Sequence, residues 1–180
     1  TSVNIPYGVL TIGADAFNYC SALTNIVIPD SVTSIGNSAF YFSGLTSITL
    51  GSGLTSIGTY AFLYCTSLNN VVIPIGVTTI QAGTFNACRS LSNVTIPNTV
   101  TSIESSGFLN TALASVTIPA SVASIGDQAF PWSGTDRVYF LGNAPTLTGS
   151  GWFDGATVTA KVYYLAGATG WTSTYGGLPT

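Results

Sequence analysis

The side chains that ordinarily perform catalysis are scarce in this sequence and lie far apart. Its 180 residues include no histidine, which is the usual general base and a common metal ligand, and only 5% of them are charged. The six acidic residues fall in different segments without close pairing, so no general acid stands beside a general base. Asp15 and Asp127 each come just before an Ala-Phe pair, where they suit the cap of a turn. The sequence predicts a protein that is not an enzyme and that holds no metal and no cofactor.

Three cysteines, Cys20, Cys65 and Cys88, are the other groups that could carry chemistry. They occupy one position of a recurring pattern, and Cys65 and Cys88 lie in successive copies of it. If successive copies stack about 5 Å apart, these two residues fall within the Cα distance of a disulfide. The other interpretation is a column of buried thiols that Ser43 and Thr111 also fill, which suits an odd number of cysteines without Cys-x-x-Cys spacing. We favour the second interpretation.

The recurring pattern is a repeat of 22 or 23 residues that covers most of the chain. Its most regular columns are Phe17, Phe40, Phe62, Phe85, Phe108 and Phe130, and Ile12, Ile35, Ile57, Ile80, Ile103 and Ile125. One unit reads L-x-x-I-x-I-P-x-x-V-x-x-I-G-x-x-A-F-x-x-C, most fully at residues 23–43. One such unit buries too few apolar side chains to offset the entropy lost in ordering it. We therefore expect every unit to pack against its neighbours in a repeat solenoid.

Each coil of this solenoid is predicted to contain one short strand, a corner and a tight turn. Ile26 and Ile28 are two residues apart, as in a strand with one buried face, and Pro29 ends the strand because it lacks a backbone donor. Gly36 is expected to provide a positive φ at the next bend, and the run before Phe40 is expected to form a single 3₁₀ turn. The counterparts of this glycine are Gly13, Gly58 and Gly126. The predicted fold is mostly β, with about eight coils and parallel strands about 4.8 Å apart.

The repeat resembles the BspA-like class of bacterial leucine-rich repeats. The resemblance rests on L-x-x-I-x-I-P followed by V-x-x-I-G-x-x-A-F-x-x-C, and it covers residues 1 to about 134. It implies a leucine-rich-repeat solenoid that is extracellular or attached to a cell surface and that is not an enzyme. Several members of the family are implicated in adhesion to host proteins or to other cells, so the resemblance also implies a role in adhesion.

Residues 135–180 are interpreted as degenerate last repeats and an aromatic cap of the same continuous solenoid. The segment NAPTLTGSGW has lost the regular valine and isoleucine positions, and the tail AKVYYLAGATGWTSTYGGLPT resembles the closing segment that often follows such arrays. A terminal repeat must hide a core that has no further neighbour. The side chains expected to cover it are Trp152, Tyr163, Trp171 and Tyr175. The alternative interpretation of these rings is an aromatic platform that binds sugars, although capping already explains large rings at this place.

Composition restricts the partners and the location. The formal net charge is −3, and Arg89, Arg137 and Lys161 are the only basic residues, which argues against nucleic acid or another polyanion. No apolar run approaches the roughly 18 residues of a membrane span. The absence of an initiator methionine and of a leader fits a secreted protein whose signal has been removed, or a trimmed chain. We expect an extracellular or cell-surface protein.

The outward positions of the predicted strands are the expected binding face for proteins or glycans, although a merely solvated sheet fits them equally well. Their first column is Asn25, Ser47, Asn70, Asn93, Ser115 and Arg137. Their second column is Val27, Thr49, Val72, Thr95, Thr117 and Tyr139.

Two alternatives to a binding module remain open. In the first, solenoids stack end to end into an extracellular filament, since an uncapped strand edge above an apolar layer recruits another chain. The residues expected at the stacking ends are Val3, Ile5, Ile12 and Phe17 on one side and Trp171 and Tyr175 on the other. The second alternative, ice binding, is suggested by a column of paired hydroxyl residues. Its members are Thr33-Ser34, Thr55-Ser56, Thr78-Thr79 and Thr101-Ser102.

Overall fold

The computed structural model describes residues 2–130, 135–153 and 159–180, and within them the chain forms a solenoid of parallel β-strands. The first strand column consists of β1 (Ser2–Asn4), β3 (Asn25–Val27), β5 (Ser47–Thr49), β7 (Asn70–Val72), β9 (Asn93–Thr95), β11 (Ser115–Ile118), β13 (Arg137–Phe140) and β15 (Lys161–Tyr164). The second column consists of β2 (Thr11–Ile12), β4 (Ser34–Ile35), β6 (Ser56–Ile57), β8 (Thr79–Ile80), β10 (Ser102–Ile103), β12 (Ser124–Ile125) and β14 (Thr146–Leu147). A terminal hairpin of β16 (Thr174–Tyr175) and β17 (Leu178–Pro179) follows.

Among the described residues, the two columns define seven complete coils and the first strand of an eighth coil. This number is close to the predicted number of about eight coils. The second column is an addition to the sequence prediction, which expected one strand per coil. It forms because Ile35 and its counterparts point into the core while the preceding residue pairs in register with the next coil. The predicted boundary between regular and degenerate repeats, at residue 134, lies outside the described residues.

Pairing along the columns is interrupted at two places among the described strands. In the first column, the sheets are β1-β3-β5, β7-β9 and β11-β13-β15, and in the second they are β2-β4-β6 and β8-β10-β12-β14. Both columns are therefore unpaired between the third and the fourth coil. The first column has a further interruption between β9 and β11.

The core continues across these interruptions because phenylalanine rings stack along the solenoid axis. Phe40 and its counterparts in the next four coils are almost completely buried. Successive rings from Phe17 to Phe153 lie nearly parallel, with centroids between 5.1 Å and 5.7 Å apart. The regular phenylalanine column of the sequence is thus the central stack of the fold.

The turn around each of these phenylalanines differs from the predicted single 3₁₀ turn. Its i to i−3 hydrogen bonds, such as that from Tyr41 N to Ser38 O at 3.0 Å, alternate with bonds to the next coil, such as that from Phe40 N to Ala61 O at 2.8 Å. From Phe17 to Phe108, the residues two before and two after each phenylalanine have positive φ, with 53° at Ser38 and 54° at Phe42. This alternation lets every second amide point along the axis and bond to the neighbouring coil, which a 3₁₀ turn does not allow.

The prediction that Gly36 and its counterparts have a positive φ is wrong, because none of the four does. The structure shows a different reason for glycine, namely close approach of successive backbones. A Cβ atom on Gly36 would lie 2.5 Å from the backbone nitrogen of Ala14, and one on Gly58 would lie 2.6 Å from that of Asn37. Gly13, in the first coil, has no atom within 4 Å of that position.

Aromatic side chains of the last segment pack against the end of the core. The rings of Trp171 and Tyr175 pack against Phe140, at centroid distances of 4.9 Å and 5.4 Å, and Leu178 of the hairpin is buried beside them. Trp152 packs partly buried against the core. Tyr163 differs from the prediction because it occupies an outward position of β15 and is exposed.

Candidate binding face

The outward side chains of the first strand column form the surface that the sequence analysis expects to bind a partner. Pairing places Asn25 opposite Ser47, Asn70 opposite Asn93, and Ser115 opposite Arg137. The second set of outward residues on the same strands is paired in the same way, with Val72 opposite Thr95 and Thr117 opposite Tyr139. All of these side chains are exposed except that of Tyr139, which is half-buried. We refer to this surface as the ladder face.

The ladder face is indented where the strand pairing is interrupted. Between β5 and β7, a depression of about 590 Å³ is lined by Ile48, Leu50, Asn70 and Val72 among others. A second depression of about 330 Å³, lined by Val94, Thr117 and Leu141 among others, lies between β9 and β11. Ile48 and Val94 are half-buried, whereas Ile26 of β3 is buried. Each depression therefore includes a partly exposed apolar side chain within a mostly polar face.

The carboxyl-terminal end of the ladder face has a different character. On β13 and β15, Arg137 pairs with Lys161 and Tyr139 pairs with Tyr163. The two tyrosine rings stack with centroids 5.1 Å apart. Sequence analysis identified Arg137 and Tyr139 but missed Lys161 and Tyr163. The signal was present in the similar runs RVYF and KVYY, which place a cation and a tyrosine two residues apart.

A cluster of exposed aromatic residues on another side of the solenoid was also missed. The rings of Tyr19, Phe42 and Tyr64 stack in successive coils, with centroids 5.4 Å and 4.7 Å apart, and Tyr41 packs edge-on against them. A hydrogen bond with Tyr19 raises the pKa of Tyr41. The sequence signal is an aromatic residue two positions after Phe17, Phe40 and Phe62.

The residues expected at the stacking ends occupy different environments. In the first coil, Ile5 and Ile12 are buried, Phe17 is half-buried, and Val3 is 39% exposed. Val3 and Phe17 line an apolar depression of about 300 Å³ at this end. At the other end, Trp171 and Tyr175 contact their own chain, and the Tyr175 hydroxyl donates to the Pro145 carbonyl at 2.7 Å.

The three cysteines are free thiols; Cys65 and Cys88 are buried, as in the favoured interpretation of a buried thiol column, whereas Cys20 is half-buried. Cys65 Sγ donates to the Phe40 carbonyl at 3.0 Å, and Cys88 Sγ donates to the Phe62 carbonyl at 3.1 Å. Burial raises the pKa of Cys65 to about 11 and that of Cys88 well above its ordinary value. Both groups are therefore protonated near neutral pH and satisfy carbonyls of the preceding coil.

The hydroxyl column considered for ice binding lies on and beside the second strand column. The hydroxyls of Thr33, Thr55 and Thr101 each donate to a carbonyl of the preceding coil. Ser34 Oγ donates to Thr11 Oγ1 at 3.2 Å. Much of the hydrogen-bonding capacity of this column is thus used between coils.

The acidic residues near the turns accept hydrogen bonds at two kinds of position. Asp15 Oδ1 accepts from Asn18 Nδ2 at 3.0 Å within its own turn. The prediction that Asp127 caps its own turn is wrong. Its Oδ1 instead accepts a hydrogen bond from the backbone nitrogen of Ser150 in the next coil, at 2.6 Å. In the same way, the Ser52 amide donates to Asp30 Oδ1 at 2.7 Å and lowers the pKa of Asp30. Asp30 and Asp127 thus connect successive coils, whereas Asp15 bonds within its own turn.

The described residues contain no group of three or more histidine, cysteine, aspartate or glutamate residues that could hold a metal ion. They also contain no helix that is long and apolar enough to cross a membrane.

The stacked array of short parallel strands, with one core phenylalanine in each complete coil, has the architecture of a leucine-rich-repeat solenoid. The sequence profile of the BspA type leucine rich repeat region matches residues 1–103 and 55–159, in six copies. The chain belongs to the BspA-type leucine-rich repeat family. No curated protein matches it.

Several solved structures share this fold, including the following three. A leucine-rich repeat protein of T. pallidum is 33% identical with a TM-score of 0.79, over 88% of this chain and 79% of that one. A leucine-rich repeat protein of Bacteroides ovatus is 28% identical with a TM-score of 0.70, over 89% of this chain and 48% of that one. A leucine rich cell surface protein of Faecalibacterium prausnitzii is 24% identical with a TM-score of 0.53, over 91% and 69% respectively. The chain therefore spans about half the length of the Bacteroides ovatus protein.

Proposed function

We propose that this chain is a non-enzymatic, extracellular binding and adhesion module that presents its ladder face to proteins or glycans at a cell surface or in a matrix. The observation that carries the proposal is the ladder face itself, with its exposed side chains in register along successive strands. Solenoids commonly bind partners through extended surfaces of this kind. Membership in the BspA-type family supports a binding role over catalysis.

The chemistry of the face favours an uncharged or weakly charged partner surface. From Asn25 to Thr117, its side chains are asparagine, serine, threonine and valine, which offer hydrogen bonds without a strong field. The depression between β5 and β7 adds apolar contact in the middle of this polar surface. Binding sites generally combine apolar lining with a few well-placed polar groups.

An array of glycans and matrix proteins tests this proposal. The intact chain is compared with Asn70→Arg and Asn93→Arg, which place a long charged side chain on the ladder face without touching the core. Ser56→Arg, an equal change on the exposed second column, is the matched control. We expect both ladder-face variants to lose the ligands that the original chain and the Ser56 variant retain. Unchanged binding of every ligand by both variants would remove the ladder face as the site.

End-to-end assembly into an extracellular filament is the second candidate. It is supported by the apolar depression at the first coil, where Val3 and Phe17 line a surface suited to another coil. The low charge of the chain offers little repulsion against such stacking. Sedimentation and negative-stain imaging over a range of concentrations test it, with Val3→Glu as the variant that blocks the contact. A chain that stays monomeric at high concentration excludes self-assembly of this unit.

Ice binding is the minor alternative. It depends on the regular spacing of the threonine and serine pairs along the second column. The intercoil hydrogen bonds of Thr33 and Thr55 leave these hydroxyls less free to bind ice. Thermal hysteresis of the intact chain measures this activity directly, and its absence removes the alternative.

A further inference from the structure

We propose that the carboxyl-terminal end of the ladder face binds an acidic sugar, a ring that carries one carboxylate, within a glycan. The site is the cation–tyrosine patch, which consists of Arg137, Tyr139, Lys161 and Tyr163. The inference rests on the proposed function and adds the class of ligand and the place on the face.

The geometry of the patch follows from the pairing of β13 with β15. Arg137 is the partner of Lys161 and Tyr139 is the partner of Tyr163, so each strand contributes one cation and one tyrosine. Neighbouring strands lie about 4.8 Å apart, and alternate residues of a strand about 6.6 Å apart on the same face. The two cations are thus adjacent, and the two tyrosines form the next row of the same surface.

The paired cations are an energetic cost that an anion would relieve. Like charges directly opposite each other on neighbouring strands are destabilising. The chain has three basic residues in all, yet Arg137 and Lys161 occupy adjacent positions of a column that elsewhere holds asparagine and serine. Arg89, the third, is exposed in an earlier coil. An anion between Arg137 and Lys161 would convert a repulsive pair into two charge-assisted contacts.

The charge of the patch fits one carboxylate better than a polyanion. Arg137 and Lys161 line a depression of about 440 Å³ together with Asp136, Thr159 and Tyr163. Two cations and one carboxylate leave one net positive charge in this depression. Since the chain as a whole carries −3, a densely charged ligand would be repelled beyond the patch.

The tyrosines suit a sugar ring more than an acidic peptide. The rings of Tyr139 and Tyr163 stack at 5.1 Å, and Tyr163 remains 42% exposed beside the cations. An aromatic ring with a hydroxyl offers an apolar face and a hydrogen-bonding group, which match the C–H face and the hydroxyls of a sugar. Among the described residues that line the depression there is no aliphatic side chain, such as an apolar peptide anchor would need.

Calorimetry with three probes tests the class of ligand. The probes are an acid oligomer, which is a neutral oligosaccharide that ends in a single galacturonic acid, the methyl ester of the same oligomer, and a neutral peptide that carries a single glutamate. We expect the acid oligomer to bind, its ester to bind about tenfold more weakly because the charge-assisted contacts are lost, and the peptide not to bind. Equal binding of the acid and the ester would contradict the role of the cations. Binding of the glutamate peptide as tight as that of the acid oligomer would assign the patch to acidic peptides and overturn the proposal.

Variants locate the site. Arg137→Gln and Lys161→Gln are each expected to weaken binding of the acid oligomer about tenfold, whereas Arg89→Gln, which removes the same charge from another coil, leaves it unchanged. Tyr163→Ala, on an exposed position, is expected to weaken the acid and the ester alike. Circular dichroism confirms that each variant is folded. Equal losses in all three charge variants would show a general effect of net charge and exclude this site.

The same variants separate this inference from the proposed function. If no acidic sugar binds, but the Asn70→Arg variant no longer binds another ligand that the original chain binds, the ladder face is a binding surface and the assignment of the patch is wrong. If the original chain and the Asn70→Arg variant bind the acid oligomer but the Arg137→Gln variant does not, the patch is supported as an independent site. If neither the array nor the acid oligomer gives binding, both proposals fail.

Discussion

Phe40 and Phe62 lie face to face in the core, with ring centroids 5.2 Å apart and ring planes 2° apart. Each is fully buried and has a further phenylalanine ring on its other side. Neighbouring coils therefore share one apolar contact that repeats along the whole axis. Stability in such an array depends mainly on contacts between nearest neighbours.

Replacement of a stacked phenylalanine should destabilise the array strongly. We expect Phe62→Ala to lower the free energy of unfolding by about 3 to 5 kcal/mol, because a large cavity opens between two coils. Phe42→Ala is the matched control, since Phe42 is aromatic and 41% exposed and should cost less than about 1 kcal/mol. Urea unfolding of both variants measures the difference. Similar losses would mean that the ring stack contributes no more than a surface cluster does.

The glycine column permits a sharper comparison. Gly58→Ala should lower the free energy of unfolding by more than about 1 kcal/mol, because its Cβ would lie 2.6 Å from backbone atoms of the preceding coil. Gly13→Ala makes the same chemical change where nothing lies within 4 Å, and should change stability by no more than about 0.5 kcal/mol. Thermal unfolding of the two variants checks this. An equal effect at the two positions would refute the explanation by close approach.

The glycines also show which parts of the fold the sequence could predict. The inward columns and their registration were predictable because phenylalanine and isoleucine recur at nearly constant intervals, and each coil must match the next. The reason for Gly36 was not predictable, since it depends on the distance between two backbones. The positive φ of Tyr19, Phe42 and Tyr64 was hidden as well, because these are not residue types that favour that region.

The candidate site was predictable to a similar extent. The outward columns from Asn25 to Tyr139 follow from alternation along a strand once the period is known. Lys161 and Tyr163 were missed because the last repeat is degenerate and its strand begins 24 residues after β13. The depressions of the ladder face were also unpredictable, since β5 and β7 resemble the paired strands in sequence. Interruptions in pairing arise from the packing of whole coils and leave no mark in one column.

The hydroxyl of Tyr175 should contribute to the stability of the cap. Tyr175→Phe removes the donor that reaches the Pro145 carbonyl at 2.7 Å and leaves that carbonyl buried without it. We expect a loss of about 1 to 3 kcal/mol in the free energy of unfolding. Tyr163→Phe, at an exposed position, should change stability by no more than about 0.5 kcal/mol. If Tyr175→Phe were as stable as the original chain, the cap would be held by ring packing alone.

The buried thiols should make the protein sensitive to alkaline pH. Burial raises the pKa of Cys65 to about 11 from its ordinary value of 9.0, and it also raises the pKa of Cys88 well above the ordinary value. In the unfolded chain both thiols ionise near the ordinary value, whereas in the folded chain they stay protonated. Their contribution to stability is therefore complete below about pH 9 and decreases as the pH rises toward 11. For Cys65 the decrease is on the order of 2 kcal/mol.

Unfolding in urea near neutral pH and at about pH 10.5 measures this decrease, and Cys65→Ser isolates the thiol from the tyrosines that ionise over the same range. Serine is suited to the position because Ser43 fills it in the preceding coil, where its hydroxyl lies 3.2 Å from Cys65 Sγ. We expect the Ser variant to lose less stability than the original chain between the two pH values, because its hydroxyl does not ionise. An equal alkaline loss in both proteins would show that the tyrosines, and not the thiol column, determine the response to pH.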